Sequence, residues 1–240
     1  NNYPTGTKVM CQMRYGAYSE EVIANVNDLK VFPKNFSFEE AAGFSVASQT
    51  AYVSLVERAN IIKGQTILIL GATGGVGLAA VQLANAIGAI VIAACSTKIK
   101  QKEVIKAGAQ YAIGYKDLIN NVKEITNQDG VDIVYDPVGG EYFLKSLKAI
   151  KWGGKLLVIG FASGTIPSLP VNIALIKGIS ILGVRAGEYY RKYPKLKKPA
   201  MKKLLSIANK GLITTVIYDS IKLKDAIKAL KKIENREVIG

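Results

Sequence analysis

The sequence predicts an α/β protein built on a doubly wound parallel sheet of about six strands. Three observations point there. From residue 66 onward, short runs of Ile, Val and Leu without polar alternation recur, as strands buried on both faces require. Between them lie helical stretches of roughly ten residues, bounded by glycine. A glycine-rich turn, "GATGGVG", joins the first apolar run to the first of these helices.

The elements follow in order. Residues 1–35 behave differently from the rest: "KVMCQM", "GAYSEEVIA" and a Pro-containing turn at 32–34 suggest short strands of a separate β-rich unit. "SFEEAAGFSVASQTAYVSLVERAN" starts on Ser37 with Glu40 three residues on, a capping box that predicts a helix entering the α/β domain. "TILIL" (66–70), "AIVIAAC" (89–95), "YAIGY" (111–115), "VDIVYD" (131–136), "GKLLVIG" (154–160) and "ISILGV" (179–184) are the expected strands. The expected helices span 76–87, 98–107, 116–126 and 141–150. This alternation implies right-handed crossovers and helices on both faces of the sheet. After Gly211, "TTVIYD" predicts a strand and "LKDAIKALKKIENR" a helix with Leu223, Ala226, Ile227 and Leu230 on one face. No internal repeat or low-complexity linker is present.

Composition narrows the class. With 240 residues, 49% hydrophobic and 21% charged, the chain has material for one large core or two smaller ones, and disorder is excluded. Its apolar runs fall short of the ~20 residues of a membrane span, and no signal peptide opens it. A cytoplasmic protein is expected, with mitochondrial import left open because the amino terminus is missing. Two cysteines, Cys11 and Cys95, and no histidine argue against a disulfide scaffold and against zinc. The formal charge of +14 is mostly lysine spread along the chain, which reads as a solvated surface. One cluster stands out, "YYRKYPKLKKPAMKK" at 189–203. A loop leading into an amphipathic helix accounts for it; an anionic ligand, a membrane surface or RNA is the minority reading.

The glycine turn carries the chemistry. A dinucleotide site needs a tight turn off the strand, a position where backbone touches pyrophosphate, and a glycine where helix meets sheet. Ala72 stands where the strict pattern has its first glycine, and Gly74 and Gly77 complete it. The amides of Gly74, Gly75 and Val76 are the expected pyrophosphate cradle, where the helix dipole favours negative charge. An NAD site places Asp or Glu about 20 residues on, to hold the ribose hydroxyls. No acid occurs between Gly71 and Lys102; "CSTKIK" offers Ser96, Thr97, Lys98 and Lys100 instead, which suits a 2′-phosphate and hence NADPH. Ser96 is also a candidate cap for the following helix. A methyltransferase lacks its ribose-binding acid, and a P-loop ATPase lacks its G-x-x-x-x-G-K-[ST] run. A Tyr-x-x-x-Lys reductase pair is unconvincing at Tyr193–Lys197, which spans Pro194, and at Tyr218–Lys222, in the strand-and-turn region.

"GATGGVGLAAVQLANAIGA", "KAGAQYAIGYKD", "VDIVYDPVGGEYFLKSL" and "GGKLLVIGFASGTIP" resemble the zinc-independent branch of the medium-chain dehydrogenases, the zeta-crystallin-like NADPH:quinone oxidoreductases and related enoyl reductases. The resemblance runs over essentially the whole chain. It implies a GroES-like catalytic domain split around a Rossmann domain, with substrate in the cleft between them. On that pattern residues 1–40 end the catalytic domain, whose first ~60 residues are absent. Residues 41–210 are the Rossmann domain, and 211–240 return to the catalytic domain. The final strand after Gly240 is also missing, so a fragment is expected.

Matched residue by residue, the resemblance implies that Gly74, Gly75, Val76 and Gly77 form the pyrophosphate turn. Ser96, Lys100 and Tyr115 match 2′-phosphate and adenine contacts, and Arg236 stands near that phosphate. Thr50 of "QTAY" corresponds to a residue near the nicotinamide carboxamide, and Phe161, after Gly160, lies on the nicotinamide side. Tyr115 and Arg236 also fit as a core tyrosine and a surface arginine. Val46 stands where the alcohol dehydrogenase branch has a zinc-binding cysteine, and "CQMRYG" replaces its four-cysteine lobe. No metal is expected. No proton donor is identified; Tyr52 fits helix packing equally well.

The activity implied is hydride transfer from NADPH to a quinone or to an α,β-unsaturated carbonyl or enoyl-CoA, without zinc, by a homodimer paired edge to edge near "ISILGV". The alternative is an NADPH-binding protein with little turnover that acts on RNA or a membrane through residues 189–203; neither is favoured as a partner.

Overall fold

A computed structural model describes residues 3–240. β1 (Val9–Cys11) and β2 (Leu29–Val31) form a two-stranded antiparallel pair, with Val9 opposite Val31. "GAYSEEVIA" forms no strand, against expectation: no neighbouring strand pairs with it among the described residues, and Tyr18, Val22 and Ile23 are exposed.

Helix α1 (Phe38–Tyr52) runs across residue 40 and starts on the expected capping box. The Glu40 N–H donates to Ser37 Oγ at 3.2 Å, and the Ser37 N–H to Glu40 Oε2 at 2.7 Å. The helix continues as a π-helical turn over Val53–Arg58. Lys155 Nζ closes its end by donating to the Ala59 carbonyl at 2.6 Å.

The central sheet has six strands, all parallel, in the order β5-β4-β3-β6-β7-β8. They are β3 (Thr66–Ile69), β4 (Ile90–Ala94), β5 (Tyr111–Ile113), β6 (Val131–Asp136), β7 (Ile150–Val158) and β8 (Ser180–Gly183). Counted from β3 this is the 3-2-1-4-5-6 order of dinucleotide-binding sheets. Intervening helices are α2 (Gly75–Ile87), α3 (Lys98–Lys106), α4 (Leu118–Ile125), α5 (Gly140–Ala149) and α6 (Val171–Lys177). Alternation along β3 shows why the strands read as unbroken apolar runs. Ile67 and Ile69 pack into the core shared with α1 and α2, while Leu68 and Leu70 pack into the core against α4 and α5.

The basic stretch at 189–203 enters the expected amphipathic helix as α8 (Pro194–Asn209), but the segment expected as a loop before it is also helical, α7 (Ala186–Lys192), with Tyr190 buried. Pro194 opens α8 at its first position, where the missing N–H costs nothing. Pro199 is held inside the helix because Ala200, Met201, Leu204 and Ala208 are buried.

The strand expected at "TTVIYD" is also absent. Residues 214–215 bond to side chains and helix backbone rather than to a ladder. The Thr214 N–H donates to Gln82 Oε1, and Thr215 Oγ1 to the Glu40 carbonyl, both at 2.9 Å. The last helix, α9 (Ala226–Glu234), forms as expected, with Ile227 and Leu230 exposed. Among the described residues no helix is long and apolar enough to cross a membrane.

Candidate functional site

The order of the sheet reverses between β3 and β6, and ligands of such sheets sit at the strand ends there. The Leu70 N–H donates to the Tyr135 carbonyl at 3.0 Å, so the two strands stay paired to that point. Gly71 then leaves β3 at φ +57°, where a Cβ would meet the Val138 side chain at 3.0 Å. Two backbone bonds shape the turn: Gly74 N–H to the Gly71 carbonyl at 3.1 Å, and Ala72 N–H to the Ala94 carbonyl at 3.2 Å. Ala72 is fully buried, so the position where a strict fingerprint has glycine holds a methyl inside the core.

Gly74 is the N-cap of α2 and supplies no side-chain bond, and no acid lies in the helix's first turn. The amides of Gly75, Val76 and Gly77 therefore have no intrahelical acceptor and favour an anion. Gly77 sets how near α2 comes to the turn: a Cβ there would lie 2.8 Å from Ala72 Cα and collide with the Gly71 carbonyl.

Tyr115 props the turn. Its Oη accepts the Gly71 N–H at 2.7 Å, and its ring packs on Tyr142 with centroids 4.3 Å apart. Burial pushes the phenol pKa up to about 12, so it stays protonated. Beside it, Asp136 ends β6 almost fully buried and accepts the N–H groups of Val138 and Gly139, each at 2.8 Å. Burial raises its pKa, and these two amides oppose the rise.

A second group assembles beyond β4. Thr97, not Ser96, caps α3, accepting the Lys100 N–H at 3.2 Å. Ser96 is exposed and free of that duty. Lys100 Nζ donates to the Arg236 carbonyl at 3.1 Å, and Arg236 Nη2 to the Ala162 carbonyl at 3.4 Å. The Lys100 ammonium thus meets the backbone of Arg236, 136 residues away, while the Arg236 guanidinium turns to the loop that carries Gly160 and Phe161. Gly160 N–H donates to the Asp136 carbonyl at 3.4 Å. The Phe161 ring lies against Gly139, where a Cβ would come within 2.9 Å of Cδ1. Gly240 N–H donates to the Thr73 carbonyl at 2.9 Å, which lays the 236–240 segment along the turn.

The structure therefore draws Gly74, Gly75, Val76, Gly77, Tyr115, Lys100, Arg236, Gly160 and Phe161 to one end of the sheet, with Ser96 and Thr97 at its margin. Thr50 is not bonded to them; its hydroxyl donates to the Val46 carbonyl at 2.8 Å. Tyr52 is buried, and its hydroxyl pKa is raised by burial and by the charge of Glu57. Asp136, Gly139 and Gly140 escaped the sequence reading; the signal was an acid closing a buried strand just ahead of "PVGG". Among the described residues no group of three or more His, Cys, Asp or Glu could hold a metal ion.

Comparison with known proteins accords with this geometry. Residues 75–206 match the family model described as zinc-binding dehydrogenase. Quinone oxidoreductase-like protein 2 of Mus musculus is 34% identical over 227 residues, 92% of this chain and 65% of that protein. The chain thus spans less than two thirds of that relative. Quinone oxidoreductase 1 of Escherichia coli K12 is 31% identical over 97% of this chain and 72% of its own length. The quinone oxidoreductase of Thermus thermophilus, solved alone and with NADPH, superposes with a TM-score of 0.88 at 28% identity, covering 99% of this chain and 76% of that one. Sheet order, glycine turn and these alignments agree, and the chain belongs to the medium-chain dehydrogenase/reductase family, among its quinone oxidoreductase-like members.

Proposed function

We propose that this chain carries the cofactor-binding part of an NADPH-dependent oxidoreductase that passes hydride, without zinc, to an electron-poor acceptor: a quinone, an enone or an enoyl-CoA. The observation that carries the reading is the meeting of Lys100 and Arg236 beyond β4, in a stretch with no acid between Gly71 and Lys102. A ribose diol would want a carboxylate there; a 2′-phosphate wants cations. Relatives named quinone oxidoreductases, one of them solved with NADPH, support it.

The residues present fit that cofactor. The amides of Gly75, Val76 and Gly77 take the diphosphate, and Gly77 keeps the helix end within reach. Lys100 and Arg236, with Ser96 and Thr97, take the 2′-phosphate. Tyr115 holds Gly71 so that the turn keeps its shape. Phe161 would lie on the nicotinamide side of the bound cofactor. The Thr50 hydroxyl donates to the Val46 carbonyl, which leaves its lone pairs to accept from a carboxamide N–H. NADPH when bound supplies the hydride. An acceptor whose oxygen delocalises the arriving charge needs placement more than a Lewis acid. The donor set agrees: the chain has no histidine, and Cys95 is buried with its thiol pushed up to about 11.

The test follows NADPH and NADH oxidation in the near ultraviolet against a panel of quinones, enones and enoyl-CoAs. Preference for NADPH is expected; equal use of NADH would overturn the 2′-phosphate assignment. Lys100→Ala should raise KM for NADPH about tenfold while leaving NADH unchanged.

A further inference from the structure

A cleft of about 1130 Å³ opens between the β1–β2 pair, α1 and α8. α1 separates it from the glycine turn: Ser45 and Gln49 face this cleft, whereas Gly43 and Ala47 face a smaller one of about 290 Å³ that touches Gly75. Its floor combines apolar Met10 and Leu205 with Gln12 and Gln49, whose amides are joined at 2.9 Å. Its rim is cationic. Lys30, Lys197, Lys198, Lys202 and Lys210 line it, against a single carboxylate, Asp28.

The charge is uncompensated. Lys106, Lys145, Lys228 and Lys232 each find a carboxylate within 3.0 Å. Among the described residues Lys197, Lys198, Lys202 and Lys210 form no such pair. α8 carries five lysines and no acid. Lys198 and Lys202 stand four residues apart, where like charges repel, and the first-turn cations oppose the helix dipole. The buried face of Ala200, Met201, Leu204 and Ala208 keeps the helix in place despite this. A local rule broken without compensation inside the fold points to compensation from outside it.

We propose that this cleft is a second anion site, which takes the diphosphate end of a small organic diphosphate and lays its apolar arm on Met10 and Leu205. Lys198 and Lys202 are one helical turn apart, about 6 Å, a spacing that two linked phosphates bridge. Ammonium groups suit phosphate as mobile point charges. Concavity and the apolar floor favour a small molecule over a polymer, which would engage the lysines alone. The site stands apart from the cofactor turn and does not depend on the hydride-transfer reading.

The test is calorimetric titration of the purified protein, saturated with NADPH, with inorganic pyrophosphate, coenzyme A and geranyl diphosphate. At least one of the two organic diphosphates should bind, more tightly than pyrophosphate, and which one tells a nucleotide source from an isoprenoid one. Lys197→Glu/Lys198→Glu/Lys202→Glu changes only exposed side chains and should weaken that binding about tenfold or more, leaving NADPH affinity intact. Lys198→Gln should give a smaller loss in the same direction. The proposal is overturned if neither organic diphosphate binds, if pyrophosphate binds as tightly, if the variants leave binding unchanged, or if NADPH is displaced one for one. Binding of an RNA oligomer that the triple variant abolishes, with no organic diphosphate bound, would overturn it too.

Discussion

Gly77 and Gly74 belong to the same turn and carry opposite constraints. A methyl at Gly77 meets backbone that cannot yield, so Gly77→Ala should push α2 off the turn, cost about 1–3 kcal/mol in urea unfolding and weaken NADPH binding at least about tenfold. A methyl at Gly74 meets nothing nearer than 3.7 Å, so Gly74→Ala should leave stability within about 0.5 kcal/mol while still obstructing the phosphate side. Tyr115→Phe leaves the Gly71 N–H without its acceptor and should cost about 1–3 kcal/mol. It should also change the alkaline limb of stability. The folded phenol keeps its proton to about pH 12, whereas an unperturbed one ionises near 10.0. Its stabilisation is complete below pH 10.0 and is lost as pH rises towards 12, and the Phe variant should lack that fall in a urea-unfolding series.

Among the elements, α1 ties the amino-terminal segment to the rest. Its capping box supplies two reciprocal bonds, and Glu40 also accepts from Thr214 Oγ1 at 2.9 Å through its other oxygen. Ser37→Ala should cost about 1 kcal/mol in denaturant unfolding and leave NADPH affinity unchanged, because the cap lies at the far end of the helix from Thr50. If cofactor affinity falls as well, α1 transmits strain to the turn. α8 differs in kind: one buried face offsets an internal proline and crowded lysines, so its exposed side is free to serve a ligand.

At the scale of the molecule, β8 ends the sheet with an edge that no other strand pairs among the described residues. Around it Trp152 is 77% exposed, Leu175 83% and Ile176 70%, a concentration of apolar surface that a monomer rarely tolerates. We propose that two copies pair along this edge as a homodimer. Sedimentation should give twice the chain mass, and Leu175→Glu should shift the protein towards the monomer; a monomeric natural protein would sink the idea.

Most of the sheet was legible in the sequence, because strands buried on both faces must be apolar throughout, and α2 and α6 close on the left-handed glycines Gly88 and Gly178. The glycine turn was legible for the same local reason: backbone geometry and helix amides reside in consecutive residues. Two short segments misled. "GAYSEEVIA" and "TTVIYD" have strand composition, but a strand exists only where another lies alongside it, and that partner is not local. In the basic 189–203 run the amphipathic helix was legible, whereas α7 in place of the loop before it follows from the burial of Tyr190, which charge and proline content conceal. What the sequence by itself determined is the doubly wound sheet and its phosphate-binding turn, both products of residues adjacent in the chain. What only tertiary structure decided is convergence: Lys100 against Arg236, Tyr115 beneath Gly71, and Lys30 facing α8 across a cleft. Those contacts bridge long stretches of chain, and no periodicity records them.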